Sequence, residues 1–138
     1  LPIVPIIVNQ LERPLPTLRR CIAWGKMLRK AIDSYSADLR VAVLGTGGLS
    51  HSIGEPTMGE IDQPFDRLCI DLFKNADEDV LADRLERELA NTGNGAEEVR
   101  DWVIAHAVAG SQGFDLIDYT PIPEVYIGCG MAEWRPAA

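Results

Sequence analysis

The chain has 138 residues, enough for one domain with a substantial hydrophobic core. Its formal net charge of −8 argues against nucleic acid and anionic membrane surfaces as partners, because both require clustered Lys and Arg. No apolar run approaches the length of a membrane span, and the three cysteines (Cys21, Cys69 and Cys129) are isolated, which is typical of buried reduced thiols in a cytoplasmic protein.

The amino-terminal third predicts a strand followed by a long helix. Residues 3–9 are an apolar, β-branched run that we expect to form a buried strand. A proline-marked turn follows, and Thr17 is a candidate N-cap. Apolar residues then recur near helical period, which predicts a helix over 18–35.

The middle of the chain predicts a second strand, a loop and three helices. Residues 41–44 are apolar and rich in β-branched side chains, which predicts a buried strand over 40–45. Residues 46–63 contain several glycines and prolines, and a loop of this length between regular elements is typical of a functional loop. Helical spacing predicts helices over 64–73, 76–90 and 96–108.

Residues 114–119 and 124–128 complete the pattern as two short strands. The order of elements predicts an α/β layered domain with a central mixed sheet flanked by helices. Because the chain opens on an apolar strand without Met, we expect residues 1–138 to be the carboxyl-terminal portion of a larger domain whose amino-terminal part is missing.

The most informative segment is VAVLGTGGLSH, residues 41–51. It places His51 in a glycine-rich turn after a strand, where open α/β sheets bind ligands. His51 is a candidate acid–base residue, metal ligand or structural hydrogen-bonding group. The turn matches neither a P-loop nor the dinucleotide fingerprint, and Ser50 lies in no nucleophile elbow.

A second segment, GNGAEEVRDW at residues 93–102, places two carboxylates at the start of a predicted helix. We expect Glu97 to face solvent, three residues before Arg100. Glu98 shares a helical face with Trp102 and is therefore expected to point inward, where a carboxylate needs a cation, a proton or a metal. His106, on the same helix, is expected to be a packed, hydrogen-bonded histidine.

These residues resemble the class III extradiol ring-cleavage dioxygenases, the family that includes the catalytic subunit of protocatechuate 4,5-dioxygenase. The resemblance spans most of the chain in four blocks. The blocks are Val4-Pro5-Ile6 with Asn9, Pro14, Pro16 and Arg20; Val41 to His51, the most distinctive; Phe65-Asp66 to Asp71-Leu72; and Gly95 to Trp102.

The resemblance implies a ferrous iron, Fe(2+), held by two histidines and one glutamate. It assigns the glutamate to Glu98, four residues before Trp102, and assigns proton removal and return to His51. It places both iron histidines in the amino-terminal half of the family, outside this chain. The implied reaction is cleavage of a catecholic ring beside its two hydroxyl groups, with dioxygen as co-substrate.

The resemblance also implies substrate contacts from Thr46, Gly47 and Gly48, and residues 123–126 fall near the position of the family's substrate-binding carboxyl-terminal segment. The substrate could be a carboxylated catechol, an aminophenol, a gallate or a hydroxypyridone. We expect a homo-oligomer or a small alpha-subunit partner. The alternative is a non-catalytic binding or scaffold member of the same fold that has lost the metal site.

Overall fold

The computed structural model describes residues 2–135, with four α-helices ahead of a β-hairpin. Leu1 and residues 136–138, which we assigned to the same domain, lie outside the described residues. The presence of both helices and a sheet confirms the α/β class.

All four predicted helices are present, with small shifts of their ends. The helices are α1 (Leu18–Asp33), α2 (Gln63–Asn75), α3 (Glu78–Glu88) and α4 (Val99–Val108). Short 3-10 turns at Leu89–Asn91 and Asn94–Glu98 separate α3 from α4. The predicted fourth helix therefore begins as a tighter turn, and α4 itself starts only at Val99.

Side-chain caps fix where three of these helices begin. The Thr17 side chain accepts a hydrogen bond from the Arg20 backbone N–H at the start of α1, as the sequence predicts. Asp62 and Asp77 cap α2 and α3 in the same way, each accepting from the N–H three residues later. Each cap satisfies a backbone donor that has no partner within the helix.

The sheet in residues 2–135 has two antiparallel strands, β1 (Phe114–Ile122) and β2 (Ile127–Trp134). The prediction of a strand over 124–128 is wrong in its bounds. Residues Pro123–Val125 form a 3-10 turn, and Tyr126 closes it in the left-handed region with φ 62°, so the chain re-enters the sheet only at Ile127.

The predicted strands at 3–9 and 40–45 are not formed in the part of the chain that the structure describes. Neither segment has a sheet partner among the described residues, and most of their apolar side chains are exposed, although Val8 packs partly against the core. Ile7 is 94% exposed and Leu44 is 84% exposed. The expectation that these runs are buried strands is therefore corrected, because a strand exists only where a neighbouring backbone pairs with it.

The core is centred on α4, in which nearly every side chain is buried. α1 crosses α4 closely at Gly25, where a Cβ would lie 2.6 Å from the Ala107 Cβ. An aromatic cluster joins α2, α4 and the hairpin through Phe73, Trp102, His106, Phe114 and Trp134. This packing makes α4 the rigid base for the loops at its amino end.

Within the described residues, no helix combines the length and apolarity needed to cross a membrane. Two of the three free cysteines are buried as expected, Cys21 and Cys69, and burial raises the pKa of the Cys21 thiol to about 11. Cys129 on β2 is exposed, so the expectation of burial is wrong for this residue. Its position explains the difference, because outward-facing side chains of a two-stranded hairpin have no second layer above them.

Candidate functional site

The glycine-rich loop packs directly onto the turn that precedes α4. The Gly48 N–H donates to Glu98 Oε2 at 2.8 Å, and the Trp102 indole N–H donates to the Gly47 carbonyl at 3.2 Å. Gly47 has φ 109°, and a Cβ there would lie 2.6 Å from both the Cβ and Oε2 of Glu98. Glycine is therefore required at this position, both for the backbone conformation and for the space that Glu98 occupies.

His51 is buried at the end of this loop, with 9% of its surface exposed. Its Nδ1 lies 3.1 Å from the Leu49 carbonyl, which can only accept a hydrogen bond, so Nδ1 carries the proton and donates. Its Nε2 lies 3.8 Å from Glu98 Oε2. The loop thus fixes the orientation of the ring and directs Nε2 toward the carboxylate.

Glu98 has the properties of a ligand that is anchored at one end. Among residues 2–135, its carboxylate accepts one hydrogen bond, from Gly48, and its side chain is 32% exposed. One oxygen is oriented by the backbone, and the other remains available to a cation. This carboxylate therefore fits one position of a metal site.

The chain offers only part of a metal donor set. In the described part of the chain, no group of three or more His, Cys, Asp or Glu side chains could hold a metal ion. His106 is fully buried, and its Nδ1 accepts a hydrogen bond of 2.8 Å from the Trp134 indole N–H, as a structural helix histidine does. A complete site would need ligands in addition to Glu98.

Glu97 is not the solvated residue that the sequence predicts. Its side chain is 15% exposed, less than that of Glu98, and its Oε2 lies 2.6 Å from Nη2 of Arg100. Arg100 is itself 2% exposed, and Glu86 Oε1 is 3.7 Å from the same nitrogen. Burial raises the pKa of Glu97, and the Arg100 cation opposes that shift. Attraction to a buried guanidinium draws Glu97 inward.

The predicted substrate-contact residues lie beside this site. Thr46 and Gly47 are exposed and Gly48 is half-buried. The Gly48 N–H and the Gly47 carbonyl are engaged by Glu98 and Trp102, so these two groups serve the loop itself. Direct substrate contact by Thr46, Gly47 and Gly48 stays a prediction.

A cavity of about 400 Å³ opens beside His51, between the loop after it and the turn before Gly95. Hydroxyl groups of Ser52, Thr57 and Thr92 line part of its wall. The lining also includes three carboxylates, Glu55, Glu60 and Asp62, and it includes no Lys or Arg of the described residues. The open cavity has room for a ring-sized ligand, but the described part of its lining offers no Lys or Arg to pair with an anionic substituent.

Sequence reasoning missed a buried carboxylate, Asp66 of α2. It is fully buried and accepts hydrogen bonds from the Ser50 N–H at 2.7 Å, the Ser50 hydroxyl at 2.9 Å and the Tyr119 hydroxyl at 2.6 Å. Desolvation raises the pKa of Asp66, and the three donors oppose that shift. The available signal was its position on the apolar face of α2, between Phe65 and Cys69.

Sequence reasoning also missed Gly95 as a packing residue. A Cβ at Gly95 would lie 2.6 Å from His51 Cε1, and closer still to Cδ2 and Nε2. The Gly95 N–H also donates to the His51 carbonyl at 3.1 Å. The Gly95 backbone therefore makes the flat surface on which the imidazole ring rests.

Comparison with known proteins identifies the family that this chain matches and the curated proteins to which it is similar. A family model described as the catalytic LigB subunit of aromatic ring-opening dioxygenase matches residues 1–129. Gallate dioxygenase of Pseudomonas putida is 40% identical over 104 residues, which cover 74% of this chain and 30% of that protein.

Two further relatives carry the name 2,3-dihydroxyphenylpropionate/2,3-dihydroxicinnamic acid 1,2-dioxygenase. The protein of Mycobacterium ulcerans is 44% identical over 61 residues, covering 44% of this chain and 19% of the relative. That of Mycolicibacterium paratuberculosis is 26% identical over 184 aligned residues, covering 98% of this chain and 58% of the relative. The chain thus spans less than two thirds of each of these curated relatives.

Proposed function

The chain belongs to the family of catalytic LigB subunits of aromatic ring-opening dioxygenases, and from that premise we propose that its protein cleaves a catecholic ring with dioxygen. The proposed cleavage is extradiol, beside the two hydroxyl-bearing carbons, with both oxygen atoms entering the product in aromatic catabolism. The observation that carries this proposal is the placement of His51 Nε2 3.8 Å from the anchored Glu98 carboxylate.

Ferrous iron is the proposed cofactor, with Glu98 as one of its ligands. A carboxylate with one oxygen oriented by a backbone N–H and the other free suits the two-histidine, one-carboxylate type of iron site. When bound, iron would orient the catechol and dioxygen and allow electron transfer between them. His106 is engaged with Trp134, so we place the two histidine ligands in a part of the protein outside these 138 residues.

His51 is the proposed acid–base residue. A catechol hydroxyl must lose a proton before the ring is attacked, and a proton must be returned as the ring opens. With Nδ1–H directed to the Leu49 carbonyl, the lone pair of Nε2 is available to take that proton and later give it back. The same hydrogen bond restricts rotation of the ring, so the proton is taken and returned at one fixed position.

The substrate is proposed to lie against Thr46, Gly47 and Gly48, with its ring near the cavity beside His51. The carboxylate-rich wall of that cavity disfavours an anionic substituent at this side of the ring. A carboxylated catechol would therefore need a cation from another part of the protein. The relatives named for gallate and for dihydroxyphenylpropionate make carboxylated catechols the first substrates to try.

The paired variants Glu98→Gln and Glu97→Gln, made in the full-length protein, test the metal assignment. After anaerobic loading with ferrous iron, we expect Glu98→Gln to lose iron and oxygen uptake while it stays folded. The neighbouring Glu97→Gln is the matched control and should keep its iron but unfold at lower denaturant, because it weakens the pairing with Arg100. Normal iron content and turnover in Glu98→Gln would refute the ligand role.

The variant His51→Ala tests the acid–base role separately. It should retain iron and bind catechol but open the ring about 10²–10⁴-fold more slowly, since general acid–base groups contribute factors of this size. If His51→Ala loses its metal, His51 is a ligand instead. If the intact wild-type protein binds no iron at all, the alternative of a non-catalytic scaffold member is favoured.

We also propose a cytoplasmic, oligomeric protein, either a homo-oligomer or a complex with a small alpha subunit. The free thiols of Cys21 and Cys69 in the core suit a reducing compartment. The exposed apolar run at residues 3–7 supports burial against additional polypeptide.

A further inference from the structure

The buried Asp66 carboxylate lies at the centre of a network that connects three separate parts of the fold. Its Oδ1 accepts from the Ser50 N–H at 2.7 Å, and its Oδ2 accepts from the hydroxyls of Ser50 at 2.9 Å and Tyr119 at 2.6 Å. Asp66 belongs to α2, Tyr119 belongs to β1, and Ser50 immediately precedes His51. All three donors converge on one carboxylate that is fully removed from solvent.

The same loop residues are fixed from the opposite side by β2. The Leu49 N–H donates to the Gly128 carbonyl at 3.0 Å, and the Gly128 N–H donates to the Ser50 carbonyl at 2.9 Å. A Cβ at Gly128 would lie 2.8 Å from Asp66 Cγ and closer to Oδ2, so only glycine lets β2 approach the loop here. The peptide from Leu49 to Ser50 is thus held between a carboxylate and a strand.

This peptide carries the group that orients the imidazole. The Leu49 carbonyl accepts the Nδ1–H of His51 at 3.1 Å, and that hydrogen bond leaves Nε2 directed at Glu98. If the loop turned at Ser50, the Leu49 carbonyl and the His51 Cα would move together. Any backbone motion at Ser50 would therefore displace the Nε2 atom of His51.

We propose that Asp66 is the positioning residue for His51: through Ser50 it fixes the turn that directs Nε2 toward the reacting proton. The proposal rests on the acid–base role proposed for His51 and deepens it. Asp66 itself touches no reacting atom in this arrangement. A neutral side chain without acceptors would leave the Ser50 N–H buried without a partner, so the loop would have to move to regain one.

A double-mutant cycle between Asp66 and His51 distinguishes this role from simple support of the fold. Asp66→Ala should lower kcat about 10–10²-fold, with little change in iron content or KM, because a misplaced proton-transfer group costs factors of this size. In a His51→Ala background, Asp66→Ala should lower kcat no further. An equal fold-loss in both backgrounds, or an unchanged kcat in Asp66→Ala, would overturn the proposal.

Milder variants keep the test decisive if Asp66→Ala does not fold. Ser50→Ala removes only a hydroxyl donor and should lower kcat severalfold, again only when His51 is present; no change would contradict the proposal. Asp66→Asn should restore most of kcat, since its carbonyl can accept the Ser50 N–H while the two hydroxyls accept from its amide. Leu72→Ala removes a buried side chain from the same helix and should lower Tm without lowering kcat.

A spectroscopic readout separates failure of this proposal from failure of the proposed function. Nitrogen-15 spectra of the imidazole rings should report His51 as the Nδ1–H tautomer and His106 as the Nε2–H tautomer, because His106 Nδ1 accepts from Trp134. Asp66→Ala should change the His51 signals and leave those of His106 in place. Unchanged His51 signals in Asp66→Ala would overturn the positioning role whatever the activity. A His51→Ala variant with full turnover would instead overturn the acid–base role on which the proposal rests, even if Asp66 still orients the ring.

Discussion

Replacing Gly95 with alanine perturbs His51 with a single methyl group. Gly95 does not adopt a left-handed conformation, so alanine brings no backbone strain of its own. Its Cβ would lie 2.6 Å from His51 Cε1, whereas carbon atoms in contact prefer about 3.5–4.0 Å. The imidazole would therefore have to move by about 1 Å or more, away from the turn that carries Glu98.

The expected consequence is a large loss of turnover with a modest loss of stability. A displacement of about 1 Å at a proton-transfer group can cost about 10²-fold in rate, and we expect a decrease of that order in kcat. Overpacking at a buried site destabilises a protein by about 1–3 kcal/mol, which most domains tolerate. The three atoms nearest to the new methyl group all belong to His51, so we expect iron content to stay near that of the wild type.

The assay measures oxygen uptake with a catechol at saturating concentration, and iron content is measured on the same sample. Gly110→Ala is the matched control: Gly110 lies just beyond the other end of α4 with φ 85°, and a Cβ there meets only the Gln112 amide nitrogen at 3.8 Å. It should lose about 1–2 kcal/mol of stability without losing turnover. A Gly95→Ala protein with normal iron and normal kcat would refute the idea that the ring position limits the rate.

Two further predictions concern stability and need no substrate. Burial lowers the pKa of His106 to about 4, so this histidine stays neutral in the folded state, whereas the unfolded chain protonates it below about pH 6.5. The contribution of neutral His106 to stability is therefore complete above about pH 6.5. It is lost as the pH falls toward 4, by up to about 3 kcal/mol. Urea unfolding from pH 7.5 to 4.5 should show a shallower pH dependence in His106→Leu, and an unchanged slope would contradict this. Glu97→Ala should destabilise the fold by about 2–4 kcal/mol in urea unfolding, because the Arg100 guanidinium loses its partner at 2.6 Å and keeps only Glu86 at 3.7 Å; a change below about 0.5 kcal/mol would mean that the pair is solvated.

The helices could be predicted from sequence because their signals are local. Thr17, Asp62 and Asp77 each lie just before a helix and cap it, and apolar spacing continues from each cap. Within α4 the sequence is apolar on nearly every face, which is the pattern of a helix surrounded by other elements. Propensity, capping and burial agree in these segments, so the predicted ends differ from the observed ones by only a few residues.

The strands could not be predicted as well, because pairing depends on residues distant in sequence. Residues 3–9 and 40–45 have the composition of buried strands, yet no strand pairs with them in the described part of the chain. In the hairpin, the left-handed residue is Tyr126 rather than Gly or Asn, so the turn carried no recognisable signal and β2 was placed too early.

Some residues of the site could be predicted from sequence spacing, whereas others are brought together only by packing of the folded chain. Glu98 and Trp102 are four residues apart, and both contact the glycine loop, through the Gly48 N–H and the Gly47 carbonyl. This arrangement agrees with the shared face that the four-residue separation predicts, although Glu98 itself lies in the 3-10 turn before α4. Asp66 is the opposite case, because its three donors come from two other segments of the chain and only the folded structure brings them together.

The relative burial of Glu97 and Glu98 shows why adjacent carboxylates cannot be sorted by periodicity alone. Both lie in a 3-10 turn with about three residues per turn, so their directions differ from those extrapolated back along α4. A buried cation then decides the outcome: Arg100 attracts Glu97 into the protein, while the Gly48 N–H orients Glu98 beside His51. The more buried glutamate is thus neutralised by an internal guanidinium, and the more exposed one keeps an oxygen for an external cation. Glu98 is therefore distinguished from Glu97 as the candidate metal ligand by its partial exposure next to His51, and not by burial.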